Sequence, residues 1–261
     1  MPIVDAHHQF VESPARRLPA DLAPLLAWHG VVSTVLVQPL ASDEQTGRAV
    51  ALAAETGFVG AVVPWVDVTA RSLASRLDAL GESPKLRGVC VLASAEADNR
   101  WLVRDDVLAG LGMVAERGLS LDVLAEPRNL PSVGELAGRL PSLPIAVAHL
   151  GGPSIGWGRR EPWGVYLLNL APRQNVVMKL SGLLSLDARP WNAAHIRGFV
   201  EHVVRLFGYE RMMFGSDWPA HDDVATYAQV MESAIGAAEP MTSAQRERLL
   251  AGTAREFYRI G

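Results

Sequence analysis

The 261-residue sequence has a single cysteine, Cys90, which excludes an intrachain disulfide framework and a cysteine-rich metal knuckle and suits a reducing compartment. It also lacks an apolar run approaching the roughly 18 residues of a membrane span, and its start, MPIVDAHHQF, is neither a basic leader nor a signal core. Charge of one sign is not in excess. The 24 Lys and Arg and 28 Asp and Glu leave a net charge of -4, and the basic residues are scattered, so there is no electrostatic footprint for phosphate backbones or anionic lipid. We therefore expect a cytoplasmic protein with no nucleic-acid or membrane partner. Strings that mark common chemistries are missing as well: no GxSxG elbow, no GxxxxGK followed by Ser or Thr, no GxGxxG after a strand, no HExxH. Serine hydrolysis and nucleotide cofactors lose support. Cys90 sits inside an apolar run and reads as a small buried hydrophobe rather than a thiol nucleophile.

What is present is an ordinary globular composition, 49% hydrophobic and 20% charged. Short apolar runs of strand length recur at Ile3 to His7, Thr34 to Gln38, Val59 to Val63, Gly88 to Leu92, Leu119 to Leu124, Ile145 to His149, Val176 to Leu180 and Met212 to Gly215. Most lack polar alternation, as strands buried on both faces should. Helical patterns lie between them, clearest at Thr69 to Leu80, with Thr69 as a cap, and at Asp105 to Arg117, Ala194 to Phe207, Thr226 to Ala237 and Ser243 to Tyr258. Ala20 to His29, Gly47 to Thr56 and Ser132 to Leu140 fill further slots. This alternation predicts an α/β fold, a single (β/α)8 TIM barrel over residues 1–261, with a doubly wound open sheet as the alternative. The Gly-, Pro- and Trp-rich stretch from Gly151 to Trp163 breaks the rhythm and reads as a functional loop.

In such a barrel the working residues end the strands. The polar ends are Asp5, His7 and Gln9, then Gln38, Trp65, Asp67, His149, Lys179 and Asp217. Strand alternation lets Asp5, His7 and Gln9 point together at the mouth while His8, read as structural, points away. A histidine with a second donor two residues on is a workable metal pair, and imidazole with carboxylate suits zinc or a similar divalent ion. A lone strand-end histidine is more often structural; three such residues, His7, His149 and Asp217, at the ends of separate runs make a site the stronger reading. Trp157, Trp163, Trp191 and Trp218 fill the core or wall a small-ligand pocket.

The strings DAHHQF, WVD at 65–67, AHLGGP at 148–153, MKLSGL at 178–183 and FGSDWP at 214–219, with the GTAREFYRI ending, together resemble the amidohydrolase superfamily. The resemblance is to its amidohydrolase-2 branch, which includes sugar-acid lactonases of the fuconolactonase and rhamnonolactonase type. It implies a (β/α)8 barrel, carbohydrate metabolism and a small-molecule lactone as substrate, with homo-oligomerisation left open. The family's strand-1 His-x-His falls on His7 and Gln9, its strand-6 His on His149 and its strand-8 Asp on Asp217. The implied metal set is thus His7, Gln9, His149 and Asp217. Gln9, an amide where the family has imidazole, weakens a zinc-like ion, so the enzyme is either metal-dependent or metal-independent. Two further departures are Ala148 before His149 and Cys90 where the family's strand-4 arginine falls, with Arg87 nearby in sequence.

The mechanism expected on this basis is lactone hydrolysis. Asp217 is general base and then acid, and His7 and His149 are electrophiles, with or without a divalent metal. Lys179, Trp65, Trp218 and His221 are the expected substrate-binding residues. The alternatives are a non-oxidative decarboxylase of the same superfamily and a catalytically degenerate barrel that binds a metabolite.

Overall fold

The computed structural model describes residues 1–12, 16–185 and 193–261. Trp191 and the side chain of His195 lie outside what is described. Among the described residues eight strands alternate with helices: β1 (Ile3–His8), α1 (Pro19–His29), β2 (Val31–Gln38), α2 (Asp43–Glu55), β3 (Val59–Pro64), α3 (Leu73–Gly81), β4 (Gly88–Leu92), α4 (Asp105–Glu116), β5 (Ser120–Leu124) and α5 (Leu130–Arg139) come first. Then follow β6 (Ile145–Val147), α6 (Trp163–Leu170), β7 (Val176–Leu180), α7 (Ala193–Phe207), β8 (Met212–Phe214), α8 (Tyr227–Ala238), α9 (Ser243–Glu247) and α10 (Thr253–Tyr258). A π-helical turn, Arg248–Gly252, joins the last two.

All strand pairs are parallel, in two ladders, β1-β2-β3 and β4-β5-β6-β7-β8. Single bridges stitch both seams, Val62 to Leu86 and Trp65 to Cys90 on one side and His8 to Trp218 on the other. The result is the expected TIM barrel. Two apolar layers explain why its strands read as unbroken hydrophobic runs. Leu36, Val62, Val89, Leu121, Val147, Met178 and Phe214 face the helices. Val35, Val37, Ala61, Val63, Cys90, Ala146, Val177 and Met213 fill the barrel interior together with Ala254, Tyr258 and Ile260 near the chain's end. Cys90 is buried there with Sγ against Gln38 O at 3.0 Å, and burial raises its thiol well above the usual range, so it is inert as read from sequence. Among the described residues no helix is long and apolar enough to cross a membrane.

Two local expectations change. The turn at Thr69 is not the start of α3: Asp67 Oδ1 accepts from both Thr69 N–H (2.9 Å) and Thr69 Oγ1 (2.7 Å), and the helix begins at Leu73. This loop closure uses up Asp67. In β1, Asp5 pairs with Thr34 but His8 pairs with Leu36, so one extra residue is accommodated between them. That bulge breaks strict alternation and decides which way β1 side chains point.

Candidate active site

Because of the bulge, Asp5 and His7 do not share a face. Val4 and Ala6 belong to the barrel interior. Asp5 is buried, and its Oδ1 accepts from Ser216 N–H (2.8 Å) and His7 N–H (3.2 Å) while its Oδ2 accepts from Tyr227 Oη (3.0 Å) on α8. Desolvation raises the Asp5 carboxyl above its usual range. Asp5 thus clamps the β8 exit to β1 instead of facing the mouth. His8 is structural as expected: fully buried, with Nε2 on Thr34 Oγ1 at 2.8 Å, and desolvation lowers it to about 3.

His7, His149 and Asp217 do come together. Asp217 Oδ1 lies 3.7 Å from His7 Nε2 and 3.8 Å from His149 Nε2, and the two imidazole rings meet edge to face at 4.6 Å. One ligand atom from each of the three lies within 4.8 Å of the others. His7 is fully buried and its Nε2 has no hydrogen-bond partner among the described residues. Desolvation, reinforced by the Lys179 charge, lowers its basicity well below the histidine norm.

The backbone around the cluster is strained. His149, Leu150 and Asp217 have φ of 53°, 53° and 60°, a left-handed region that disfavours residues with a Cβ. Specific contacts hold these conformations. Ser181 Oγ receives His149 N–H (3.3 Å) and lies 3.0 Å from His149 Nδ1. The Trp163 indole donates to Leu150 O at 2.7 Å. Asp217 N–H donates to His7 O at 2.8 Å, and Ser185 Oγ donates to Asp217 Oδ2 at 2.6 Å. Two glycines leave room for the rings: a Cβ on Gly182 would lie 2.6 Å from His149 Nδ1, and one on Gly215 would lie 2.7 Å from His7 Cβ.

Other candidate residues take different places. Lys179 is fully buried inside the barrel, and its Nζ donates to Ala6 O (2.6 Å) and Asp122 Oδ2 (2.5 Å) and lies 3.4 Å from His7 Nδ1. The expected substrate contact is corrected on that ground, since its donors are spent on protein groups. Trp218 is likewise corrected: only 2% exposed, it packs in the helix-facing core with its ring edge to face with Phe10. His221 is buried with Nδ1 on Ala225 O at 3.0 Å and with Nε2 unpartnered among the described residues. Trp65 packs half-buried on the barrel's interior cluster. Gln38 is occupied structurally, with Oε1 receiving Trp65 N–H and the Thr46 hydroxyl, both at 3.2 Å. Arg87 is tied to Pro84 O and Leu86 O and does not replace the missing arginine beside Cys90.

Two cavities border this region. One of about 600 Å³ is walled by His149, Ser94, Glu126, Ser154, Trp157 and Leu124, two of them from the irregular loop after β6. Gln9 lines another, of about 350 Å³, with Phe10, Gln38, Leu40 and Arg48, whose walls include none of the three clustered residues. Of the tryptophans, Trp157 is a cavity wall while Trp163 is core. Sequence reading missed Asp122, Ser185 and Tyr258 altogether; Tyr258 Oη donates to Asp122 at 2.8 Å and 3.0 Å to its two oxygens. Their one signal was an acid, Asp122, inside an apolar strand.

As a donor set, two imidazoles and a carboxylate with one orphaned buried nitrogen fit a divalent ion with an open position.

A family model described as Amidohydrolase matches residues 4–260. L-fucono-1,5-lactonase of Burkholderia ambifaria is 34% identical over 248 residues, covering 93% of this chain and 85% of that protein. L-fucono-1,5-lactonase of Burkholderia multivorans is 32% identical over 255 residues, covering 93% and 86%. A crystal structure of an amidohydrolase from Burkholderia multivorans with bound zinc superposes with a TM-score of 0.91 at 28% identity, covering 100% of both chains.

Proposed function

The chain belongs to the amidohydrolase family, and from that premise we propose that it is a hydrolase that opens a sugar-acid lactone by attack of water, with residues 1–261 acting as one barrel domain. The observation that carries this reading is the convergence of His7 Nε2 and His149 Nε2 on one oxygen of Asp217. Asp217 is the proton carrier. Its Oδ1 takes a proton from the attacking water and returns it to the ring oxygen that leaves, while the Ser185 hydroxyl on Oδ2 fixes the carboxylate plane. His7 and His149 present their Nε2 atoms to the carbonyl oxygen, where negative charge grows in the transition state.

His7, His149 and Asp217 would hold a divalent ion of the zinc type, which when bound would polarise the carbonyl as a Lewis acid. Gln9, the fourth member of the expected set, lines the other cavity. The lactone ring is expected in the cavity beside His149, against Trp157, with Glu126, Ser94 and Ser154 available to its hydroxyls. Trp65 and His221 remain candidates for the pocket wall. Decarboxylation is the weaker reading, because the two Burkholderia relatives described above are L-fucono-1,5-lactonases.

The test is hydrolysis of a panel of sugar-acid lactones, followed by acid release, for wild type and Asp217→Asn. Wild-type turnover and a loss of about 10²- to 10⁴-fold in kcat for the variant are expected. Full activity in Asp217→Asn removes the assigned role, and binding without turnover across the panel moves the protein to the degenerate-barrel reading.

A further inference from the structure

We propose that Lys179 is a positioning residue that locks His7 in the Nε2–H tautomer, so that His7 presents a proton, and not a lone pair, to the reacting cluster. The proposal rests on the reading of His7, His149 and Asp217 as the hydrolytic site. It follows from what faces the two ring nitrogens. A neutral imidazole has one N–H and one bare nitrogen, and an ammonium has three donors and no acceptor. Lys179 Nζ directs its donors to Ala6 O (2.6 Å), Asp122 Oδ2 (2.5 Å) and, at 3.4 Å, His7 Nδ1. Nδ1 therefore supplies the lone pair. On the other edge of the ring, Nε2 faces Asp217 Oδ1 at 3.7 Å, an acceptor that calls for a proton. The lysine edge selects the tautomer, and the Asp217 edge, too distant for a hydrogen bond, is compatible with it.

The lysine cannot turn away. It is 0% exposed, Asp122 beside it is 0% exposed, and the Tyr258 hydroxyl bonds both Asp122 oxygens from the far side. A buried carboxylate of this kind requires its partner cation.

A consequence concerns the ion that the cluster can hold. A ligating histidine normally donates its second N–H to a carboxylate, carbonyl or water, which raises its basicity. Here a cation stands where that acceptor belongs. Ligation through Nε2 would move the ring proton to Nδ1, against the ammonium. Lys179 thus lowers the affinity of this cluster for divalent cations and favours His7 as a hydrogen-bond donor to the carbonyl oxygen.

The experiment is long-range ¹H–¹⁵N NMR of ¹⁵N-histidine-labelled protein at neutral pH, with the His7 signals identified by their absence in His7→Asn. Protonated Nε2 and bare Nδ1 are expected in the wild type; the reverse pattern overturns the proposal, whatever the variants do. A second arm titrates zinc against a competing chelator for wild type and for Lys179→Met/Asp122→Asn, which removes the buried pair together so that no lone charge is left. Zinc binding tightened by at least about 10-fold is expected, and unchanged affinity in the folded variant refutes the lock. Neither readout uses lactone turnover. An inactive wild type with the Nε2–H tautomer would sink the lactonase reading and leave this one standing.

Discussion

Ser181 shows how a single side chain can matter to the chemistry without touching the substrate. Its hydroxyl meets both the backbone N–H and the Nδ1 of His149, a residue held at φ 53°. Replacing it by Ala leaves the ring free to turn, and kcat on the lactone should fall by about 10- to 100-fold with KM little changed. Steady-state kinetics check this, and an unaltered kcat would mean that the strained backbone alone orients the ring. Gly182 gives a sharper case: at φ +66°, with 2.6 Å between its ideal Cβ and His149 Nδ1, Gly182→Ala should abolish turnover and lower stability together. At this scale the sequence was informative about identity and less so about direction. His7, His149 and Asp217 stood out because each ends an apolar run. The orientation of Asp5 was hidden, because an extra residue in β1 is a property of the pairing with β2 and leaves no mark on β1 itself. Lys179 was legible as an inward residue of β7, but its partners Asp122 and Tyr258 lie 57 and 79 residues away in sequence, counted from residue numbers 122, 179 and 258.

Among elements, all eight strands were visible, since strands covered on both faces are apolar throughout and Gly or polar turns bound them. Helix starts were less legible. Thr69 resembles a cap, yet Asp67 captures it in a turn; Ser243 looks like the opening residue, yet Thr242 is the one whose hydroxyl accepts Gln245 N–H at 3.2 Å. The helix α6 went unassigned: the loop reading ends at Trp163, where this short helix begins. That helix has a task in the site. The Trp163 indole at its first turn supports Leu150 O, next to His149, from a fully buried position. Trp163→Phe keeps most of the ring and deletes the donor, leaving a buried carbonyl unsatisfied. A loss of about 1–3 kcal/mol in urea unfolding is expected, with a drop in kcat, because Leu150 also holds a left-handed φ. Loss of stability with full activity would show that the turn after β6 does not depend on α6.

For the whole molecule, β1 brings into the core two histidines that fold in their neutral form. His8 is pushed from 6.5 to about 3 by burial, and burial first and Lys179 second lower His7 in the same direction. Between pH 6.5 and about 3, the unfolded chain binds a proton at His8 that the folded chain refuses. Stability from this residue is therefore complete above pH 6.5 and is lost as the pH falls below it, by about 1.4 kcal/mol per pH unit. Asp5 acts with the opposite sign. Its carboxyl is raised from 3.8 by desolvation, so the folded state holds that proton more firmly, and stability declines as the pH rises through the window above 3.8. The wild-type curve mixes these slopes, so the informative quantity is the difference between wild type and His8→Gln in urea unfolding from pH 5 to pH 8. The difference should be flat above pH 6.5 and should shrink by about 2 kcal/mol on reaching pH 5, because only the wild type carries the His8 penalty. A difference that does not vary with pH would mean that His8 is protonated in the folded barrel, with its Nδ1, which has no partner in the structure, bearing the added proton. The Thr34 hydroxyl would then serve as acceptor to a charged ring inside the fold, and the neutral pairing that joins β1 to β2 at this point would have to be given up.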